Sequence, residues 1–135
     1  MWPSSLPAIQ VRIARQTNQI DELIRFYCVG LGLQIITSFK GHFGYDGVMI
    51  GLPGVNYHLE FVHHAGGSPG ETTNRENLLV FYIPDEQAVV DKATQLKNMG
   101  YKRVPSENPW WDAHGAITIE DPDGWRIVLQ PGNGF

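Results

Sequence analysis

One stretch of this chain occurs twice. Residues 47–61 align without a gap on residues 115–129, and the register of the two copies is fixed by one glycine pair and five apolar pairs. The agreeing pairs are Gly47 and Gly115, Val48 and Ala116, Met49 and Ile117, Tyr57 and Trp125, Leu59 and Ile127, and Phe61 and Leu129. Glu60 instead falls opposite Val128, and His58 falls opposite Arg126. The sequence therefore predicts two similar halves whose chemistry differs on the surface they share.

The composition limits the class of protein and of partner. The 135 residues suit one domain with a real core, and no apolar run approaches the ~18 residues needed to cross a bilayer. The net charge of −4, without a cluster of Lys or Arg, argues against nucleic acid and an anionic membrane as partners. Because Cys28 is the only cysteine and no signal-peptide pattern begins the chain, we expect a soluble cytoplasmic protein.

Side-chain periodicity in the first half predicts a strand, a helix and three further strands. Residues 9–15 alternate apolar and polar side chains, which is typical of a half-buried strand. A helix follows, with Asn18 as its predicted cap and with Gly30 and Gly32 at its end. The three remaining strands are predicted at residues 33–39, 47–52 and 57–63.

The second half predicts the same order of elements. Asp85 caps a helix that ends at Gly100, and its apolar face consists of Val89, Ala93, Leu96 and Met99. The strands are predicted at residues 78–83, 101–104, 116–120 and 125–130. Residues 65–76 are rich in Gly, Ser and charge, so they read as a flexible connector. We therefore predict one α+β domain over residues 1–135, with βαβββ modules at residues 9–64 and 77–130.

Two local motifs occur in different halves of this repeat. FYCVGLGL ends the first helix, and EDPDGWRIVL forms the last hairpin. A tandem βαβββ pair with these motifs resembles the vicinal oxygen chelate superfamily, which contains the glyoxalases, the extradiol dioxygenases and the bleomycin and fosfomycin resistance proteins. The resemblance covers essentially residues 9–130. It implies tandem modules that form a curved mixed sheet around a cup, and it implies a homodimer.

The resemblance also implies four positions for metal ligands. In metal-dependent members, each half supplies one ligand from its first strand and a glutamate from its last strand. The corresponding positions here are Arg12 and Glu60 in the first half, and Leu78, beside Asn77, and Val128 in the second. Only Glu60 is a good ligand for a divalent ion. We therefore expect a protein without a metal ion or other cofactor.

A different metal site could still be built from one strand of the first half. His58, Glu60 and His64 alternate onto the same strand face, where neighbouring side chains can chelate one ion. The competing interpretation is that His58 makes an ordinary hydrogen bond, while His63 and His64 lie in solvent at the end of the strand.

Arg12 and Glu60 suggest that an arginine takes the place of the metal ion. If both lie where the superfamily places ligands of one half, the guanidinium can bind the carboxylate through two parallel hydrogen bonds. The pair could serve the fold alone, or it could also bind a ligand. Arg126 lies on the face of Val128 and would add a second positive group to the cup. Two arginines with one glutamate favour an anionic ligand.

Two tryptophans occur in the loop before the last hairpin. Trp110 and Trp111 align with His42 and Phe43, so both copies place rings where ligands of the superfamily cross the rim of the cup. Aromatic walls with a few polar groups are typical of small-molecule sites. Since neighbouring residues of an extended segment point in opposite directions, we expect one tryptophan in the cup and one in the core or in a dimer interface.

Other catalytic devices have less support. Cys28 has no basic neighbour and reads as a packing residue. Asp121, Asp123 and Gly124 read as a tight turn. The additional candidates for an acid or a base, all in the loops before the third strand of a half, are Asp46, Asp112 and His114.

Three functional hypotheses follow, and whether the protein is an enzyme stays open. The first is a metal-free protein that sequesters a small aromatic or anionic molecule. Its cup would be lined by Arg12, His58, Glu60, Trp110, Trp111 and Arg126. The second is a metal-dependent lyase or dioxygenase of the glyoxalase type. The third is a metal-free enzyme in which Glu60 is the catalytic base, held by Arg12.

Overall fold

The chain folds into two compact units that divide between Gly70 and Glu71. The computed structural model describes residues 5–66 and 74–134. Most of the predicted connector at residues 65–76 therefore lies outside the described residues. Each unit contains one four-stranded mixed sheet and few helices, which confirms the predicted α+β class.

The first unit has the predicted order βαβββ. Its helix has an α-helical part, α1 (Ile20–Ile24), which continues into a π-helical part at Arg25–Gly30. The strands are β1 (Val11–Gln16), β2 (Gln34–His42), β3 (Tyr45–Gly51) and β4 (Tyr57–His64). Their order in the sheet is β1-β4-β3-β2, with β1 parallel to β4 and the other neighbours antiparallel.

The second unit repeats this topology with one additional helix. Its helices are α2 (Glu86–Asn98) and the short α3 (Pro109–Ala113). Its strands are β5 (Leu78–Ile83), β6 (Arg103–Val104), β7 (Ile117–Glu120) and β8 (Arg126–Pro131). The sheet order β5-β8-β7-β6, with β5 parallel to β8, matches that of the first unit.

The core of each unit is built from apolar side chains of its sheet and helix. In the first unit, the rings of Tyr27 and Phe61 stack with centroids 5.1 Å apart, and Phe26 meets Tyr27 edge to face. These contacts show that Phe61 points toward the helix of its own unit. The buried apolar residues of the second unit are Val89, Leu96, Ala116, Ile117, Ile119, Ile127, Val128 and Leu129.

The two hairpins of the sequence repeat differ in register by one residue. Met49 pairs with Glu60 in the first hairpin, whereas Val128, which aligns with Glu60, pairs with Thr118 rather than with Ile117. The ungapped alignment is therefore correct for the last strand of each half but wrong by one residue for the strand before it. In the structure, Gly47, Val48 and Met49 correspond to residues 116–118 and not to residues 115–117. The physical cause is a connection that is one residue shorter in the second hairpin.

Local signals predicted two of the turns and caps correctly. Asp85 caps α2, because its Oδ1 accepts a hydrogen bond from the Gln87 backbone N–H at 3.0 Å. Asp121 organises the last tight turn by accepting hydrogen bonds from the backbone N–H groups of Asp123 and Trp125. None of the described helices is long and apolar enough to span a membrane.

Two local predictions are wrong. Asn18 does not cap the first helix; its N-cap is Gln19, which makes no capping bond with its side chain, and the Gln19 backbone N–H donates to Thr17 Oγ1 instead. The segment around Trp110 and Trp111 is not extended but forms α3, since Asn108 Oδ1 caps it and Pro109 occupies its first turn.

Candidate functional site

Arg12 lies in β1 beside His58 of the parallel strand β4. Arg12 Nε donates a hydrogen bond to His58 Nε2 at 3.3 Å, and Arg12 Nη1 lies 3.5 Å from Glu60 Oε1. The ion pair between Arg12 and Glu60 that the sequence predicts is therefore present. Because successive strand residues alternate between faces and Phe61 points to the helix, His58 and Glu60 point away from it. We call that side of each sheet its distal face.

The guanidinium of Arg12 contacts His58 through Nε and Glu60 through Nη1. This differs from the bidentate contact with Glu60 that we predicted. The His58 imidazole accepts at Nε2, so one of the Arg12 donors is directed at this ring and not at Glu60. The side chain of Glu60 is 12% exposed and that of Arg12 is 43% exposed. The carboxylate is thus mostly covered, while its positive partner reaches solvent.

The strand register shows which residues of the two halves are equivalent at the four positions that the resemblance implies for metal ligands. Leu78 pairs with Arg126 as Arg12 pairs with His58, and Val80 pairs with Val128 as Ala14 pairs with Glu60. Leu78 and Val128 therefore occupy the second-half positions equivalent to Arg12 and Glu60. At the four ligand positions that the resemblance implies, two side chains are apolar and one is a guanidinium, so only Glu60 could donate to a metal ion. This donor set does not fit a divalent ion.

Arg126 does not provide a second exposed cation. Its side chain is only 5% exposed, its Nε donates to Glu120 Oε2 at 3.3 Å, and its Nη1 donates to the Pro105 carbonyl oxygen at 3.0 Å. The sequence-based expectation that Arg126 adds free positive charge is corrected by these contacts. Glu120 lies directly across the hairpin from Arg126, and the ungapped alignment did not reveal this pairing.

The alternative metal site at His58, Glu60 and His64 is not assembled. Among residues 5–66 and 74–134, no three His, Cys, Asp or Glu side chains are grouped so that they could hold a metal ion. The His64 ring lies 4.7 Å from the Tyr45 ring, and its Nδ1 accepts from the Gly66 backbone N–H. His63 bonds through Nδ1 to the Thr17 carbonyl oxygen at 3.0 Å. Both histidines lie at the partly exposed end of β4, as expected, and each also has a protein partner.

The two tryptophans of α3 have different surroundings. Trp110 is 49% exposed and stacks on the His114 ring at 4.0 Å, and this histidine also bonds through Nδ1 to the Trp110 carbonyl oxygen. Trp111 is partly buried, meets the Trp110 ring edge to face and lines a cavity of about 200 Å³. Of the two, Trp111 is the better candidate for ligand contact.

That cavity belongs to the second unit alone. Its lining consists of Arg75, Glu76, Leu78, Ser106, Glu107, Asn108, Trp111 and Thr118. The sequence analysis did not identify Thr118, because the ungapped alignment placed Ile117 at this position of the distal face. The corrected register is the signal that would have found it.

The remaining acid, base and thiol candidates have local structural roles. Asp46 Oδ1 accepts from the Gly41 backbone N–H, and Asp112 accepts from the Ser106 backbone N–H and lies 3.8 Å from Arg103. Burial raises the pKa of the Cys28 thiol, which favours its neutral, weakly nucleophilic form. These contacts agree with packing and turn formation rather than catalysis.

Comparison with known families and proteins finds relatives over nearly the whole chain. The YycE-like N-terminal domain family matches residues 11–62, and the YycE-like C-terminal domain family matches residues 76–131. The YycE protein of Bacillus subtilis (strain 168) is 53% identical over 132 residues, which cover 98% of this chain and 94% of that protein.

Solved structures agree with this relationship. The 2.0 Å crystal structure of a Bacillus subtilis YycE protein of unknown function has a TM-score of 0.91 at 52% identity, covering 98% of this chain and 96% of that one. Leishmania major glyoxalase I has a TM-score of 0.70 at 16% identity, covering 94% and 88%. TnmS3, an antibiotic binding protein from Streptomyces sp. CB03234, has a TM-score of 0.65 at 18% identity, covering 96% and 98%. The predicted glyoxalase fold is confirmed.

Proposed function

The chain belongs to the YycE-like family of the vicinal oxygen chelate superfamily, and from that premise we propose that it binds a small anionic or aromatic molecule without a metal ion. The observation that carries this proposal is the position of Arg12. Arg12 contacts Glu60, and the resemblance implies that these two residues stand at the two metal-ligand positions of their half.

The geometry of Arg12 suits the recognition of an anion. A guanidinium has five N–H donors. The two contacts found among the described residues involve Nε and Nη1 of Arg12. Because the side chain is 43% exposed, its other donors can meet a carboxylate that arrives from solvent. His58 and Glu60 hold the guanidinium in place, which reduces the entropy lost when a ligand binds.

Binding is favoured over metal-dependent catalysis by the chemistry of the side chains at the four ligand positions. One glutamate, already paired with an arginine, leaves a divalent ion without the several oxygen or nitrogen donors that it needs. That TnmS3 is an antibiotic binding protein of the same fold supports a sequestering role by analogy.

A ligand panel together with elemental analysis tests the proposal. Benzoate and benzamide form a matched pair, because they differ mainly in the charge of the group offered to Arg12. We expect benzoate to raise the melting temperature of the protein more than benzamide does, and we expect less than one divalent ion per chain after purification. Added zinc, manganese or nickel should leave the benzoate effect unchanged. One tightly bound ion per chain, or equal effects of the two probes, would contradict the proposal.

We also propose that the protein is a homodimer, as the resemblance implies. Exposed apolar side chains on the helix side of β1 and β4 could be buried in a dimer interface, since Ile13 is 52% exposed and Tyr57 is 67% exposed. Light scattering at micromolar concentration should give twice the chain mass of 15.1 kDa. The Ile13→Glu variant should shift the population toward monomer, and a monomeric wild-type protein would rule the dimer out.

A further inference from the structure

A groove lies beside α2 on the helix side of the second sheet. Its volume is about 400 Å³, within the ~300–1,000 Å³ typical of small-molecule sites. Ile117 of β7 belongs to its lining. Because successive strand residues alternate between faces, Ile117 points away from the distal face to which its neighbour Thr118 belongs. This groove, which we call the α2 groove, is therefore on the opposite side of the sheet from the cavity that Trp111 lines.

The packing of α2 leaves this side of the sheet partly uncovered. The helix packs mainly against β8 and β5, whereas β7 and β6 form the other half of the sheet. The edge strand β6 has only two residues, while its counterpart β2 in the first unit has nine. One flank of α2 consequently faces a groove above β7 and the end of β6 instead of packed core.

The flank of α2 that faces the groove is largely apolar. Four of its residues line the groove: Val90, Ala93, Thr94 and Lys97. Their spacing is that of residues on one helix face. Val90 is 49% exposed, whereas the neighbouring core residue Val89 is 1% exposed. The rise of an α-helix places Val90 and Lys97 about 10 Å apart along its axis, so the groove has an apolar end and a charged end.

The charged end is positive. Lys97, Lys102 and Arg103 line it, and the part of the lining that belongs to residues 5–66 and 74–134 includes no acidic side chain. Arg103 lies 3.8 Å from Asp112, but the described residues provide no ion-pair partner for Lys97 or Lys102. The C-terminal end of α2 contributes only about half a negative charge. In a chain with a net charge of −4, this local excess of positive charge favours an anionic group.

We propose that the α2 groove binds a medium-chain fatty acid, with its carboxylate at Lys97 and Lys102 and its alkyl chain along Val90 and Ala93. Ammonium groups donate hydrogen bonds to a carboxylate, and the apolar flank can bury methylene groups, so each part of the ligand matches one end of the groove. The site goes beyond the function proposed above and does not depend on it, because its residues belong to the second unit and Arg12 belongs to the first.

Titration of the intact protein with sodium octanoate below its critical micelle concentration, followed by NMR of the methyl signals of Val90 and Ile117, tests this site. Octanol has the same alkyl chain without the charge, and acetate has the charge without the chain. We expect saturable octanoate binding in the millimolar range, with both methyl signals shifted. Octanol should bind more weakly, and acetate should not saturate the site in this range.

Replacing two lysines together tests the charged end. The double variant Lys97→Gln with Lys102→Gln should weaken octanoate binding about three- to tenfold, the effect of two exposed ion pairs, and leave octanol binding unchanged. Its melting temperature should match that of the wild type, because both side chains are exposed. Lys92→Gln is the matched control, since Lys92 also belongs to α2 but bonds to the Gln95 side chain outside the groove. Its octanoate affinity should equal that of the wild type.

The Arg12→Leu variant separates this site from the one proposed at Arg12, because its octanoate shifts at Val90 and Ile117 should equal those of the wild type. Equal octanoate affinity of the double lysine variant and the wild type would overturn the proposal, as would equal affinities for octanoate and octanol. Sedimentation of the protein with phosphatidylserine vesicles, without saturable octanoate binding, would also overturn it and would assign the positive end of the groove to a membrane surface.

Discussion

Replacing Arg12 with leucine is expected to weaken the binding of benzoate about 10- to 100-fold, because a hydrogen bond to a charged group contributes roughly 1.5–3 kcal/mol. The change removes the positive group that we propose as the anion receptor. It also leaves Glu60 without its ion-pair partner. Isothermal titration calorimetry of the two proteins with benzoate measures this loss directly.

Two further variants separate a binding role of Arg12 from a structural one. Arg12→Lys keeps the charge but not the planar fork, so it should recover only part of the benzoate affinity. Because Arg12 is half-exposed, its loss should lower the free energy of unfolding by only about 1 kcal/mol. The double variant Arg12→Leu with Glu60→Leu should regain that stability and still bind benzoate weakly. Wild-type benzoate affinity in the double variant would mean that the pair serves the fold alone.

Replacing Arg126 with alanine is expected to lower the free energy of unfolding by about 2–4 kcal/mol. The side chain is 5% exposed and bonds both to Glu120 and to the Pro105 carbonyl oxygen. Truncation leaves a partly covered carboxylate and a carbonyl group without their partner, and it opens a cavity where the aliphatic stem was packed. Urea unfolding followed by circular dichroism measures the change.

Arg103 provides the matched control for this experiment. It belongs to the same unit, but its contact with Asp112 is 3.8 Å long and its side chain is 57% exposed. Arg103→Ala should therefore change the free energy of unfolding by less than about 1 kcal/mol. Equal losses in the two variants would contradict the interpretation that Arg126 is a buried structural residue.

The sequence predicted the fold well where a local signal has a direct physical cause. The alternation that predicts β1, the cap at Asp85 and the turn at Asp121 each depend on a few neighbouring residues, and the strand, the cap and the turn are all found in the structure. The contact between Arg12 and Glu60 was also predicted, because the resemblance implies that both residues stand at ligand positions of the same half.

The site was predicted less well because several of its contacts depend on pairing across the sheet. The partnership of Arg126 with Glu120, and the position of Thr118 on the distal face, both follow from a connection that is one residue shorter. An alignment without a gap cannot contain that difference. The helix at Trp110 and Trp111 was missed for a different reason, since the alternation argument ignored Asn108 and Pro109 as a helix start.

The offset between the two hairpins has a consequence for modular redesign of this chain. Transplanting residues 115–129 into the place of residues 47–61 would keep the length of the chain. It would also exchange the two faces of the first transplanted strand, because the register is shifted by one residue. Ile117 would replace Met49 as a neighbour of Thr37 in β2 while its own hairpin aims it at the opposite side of the sheet. The two hairpins are therefore equivalent in topology, but one cannot replace the other residue for residue. A cut placed one residue later in the donor strand, at Ala116, is the one that keeps both sheet pairings.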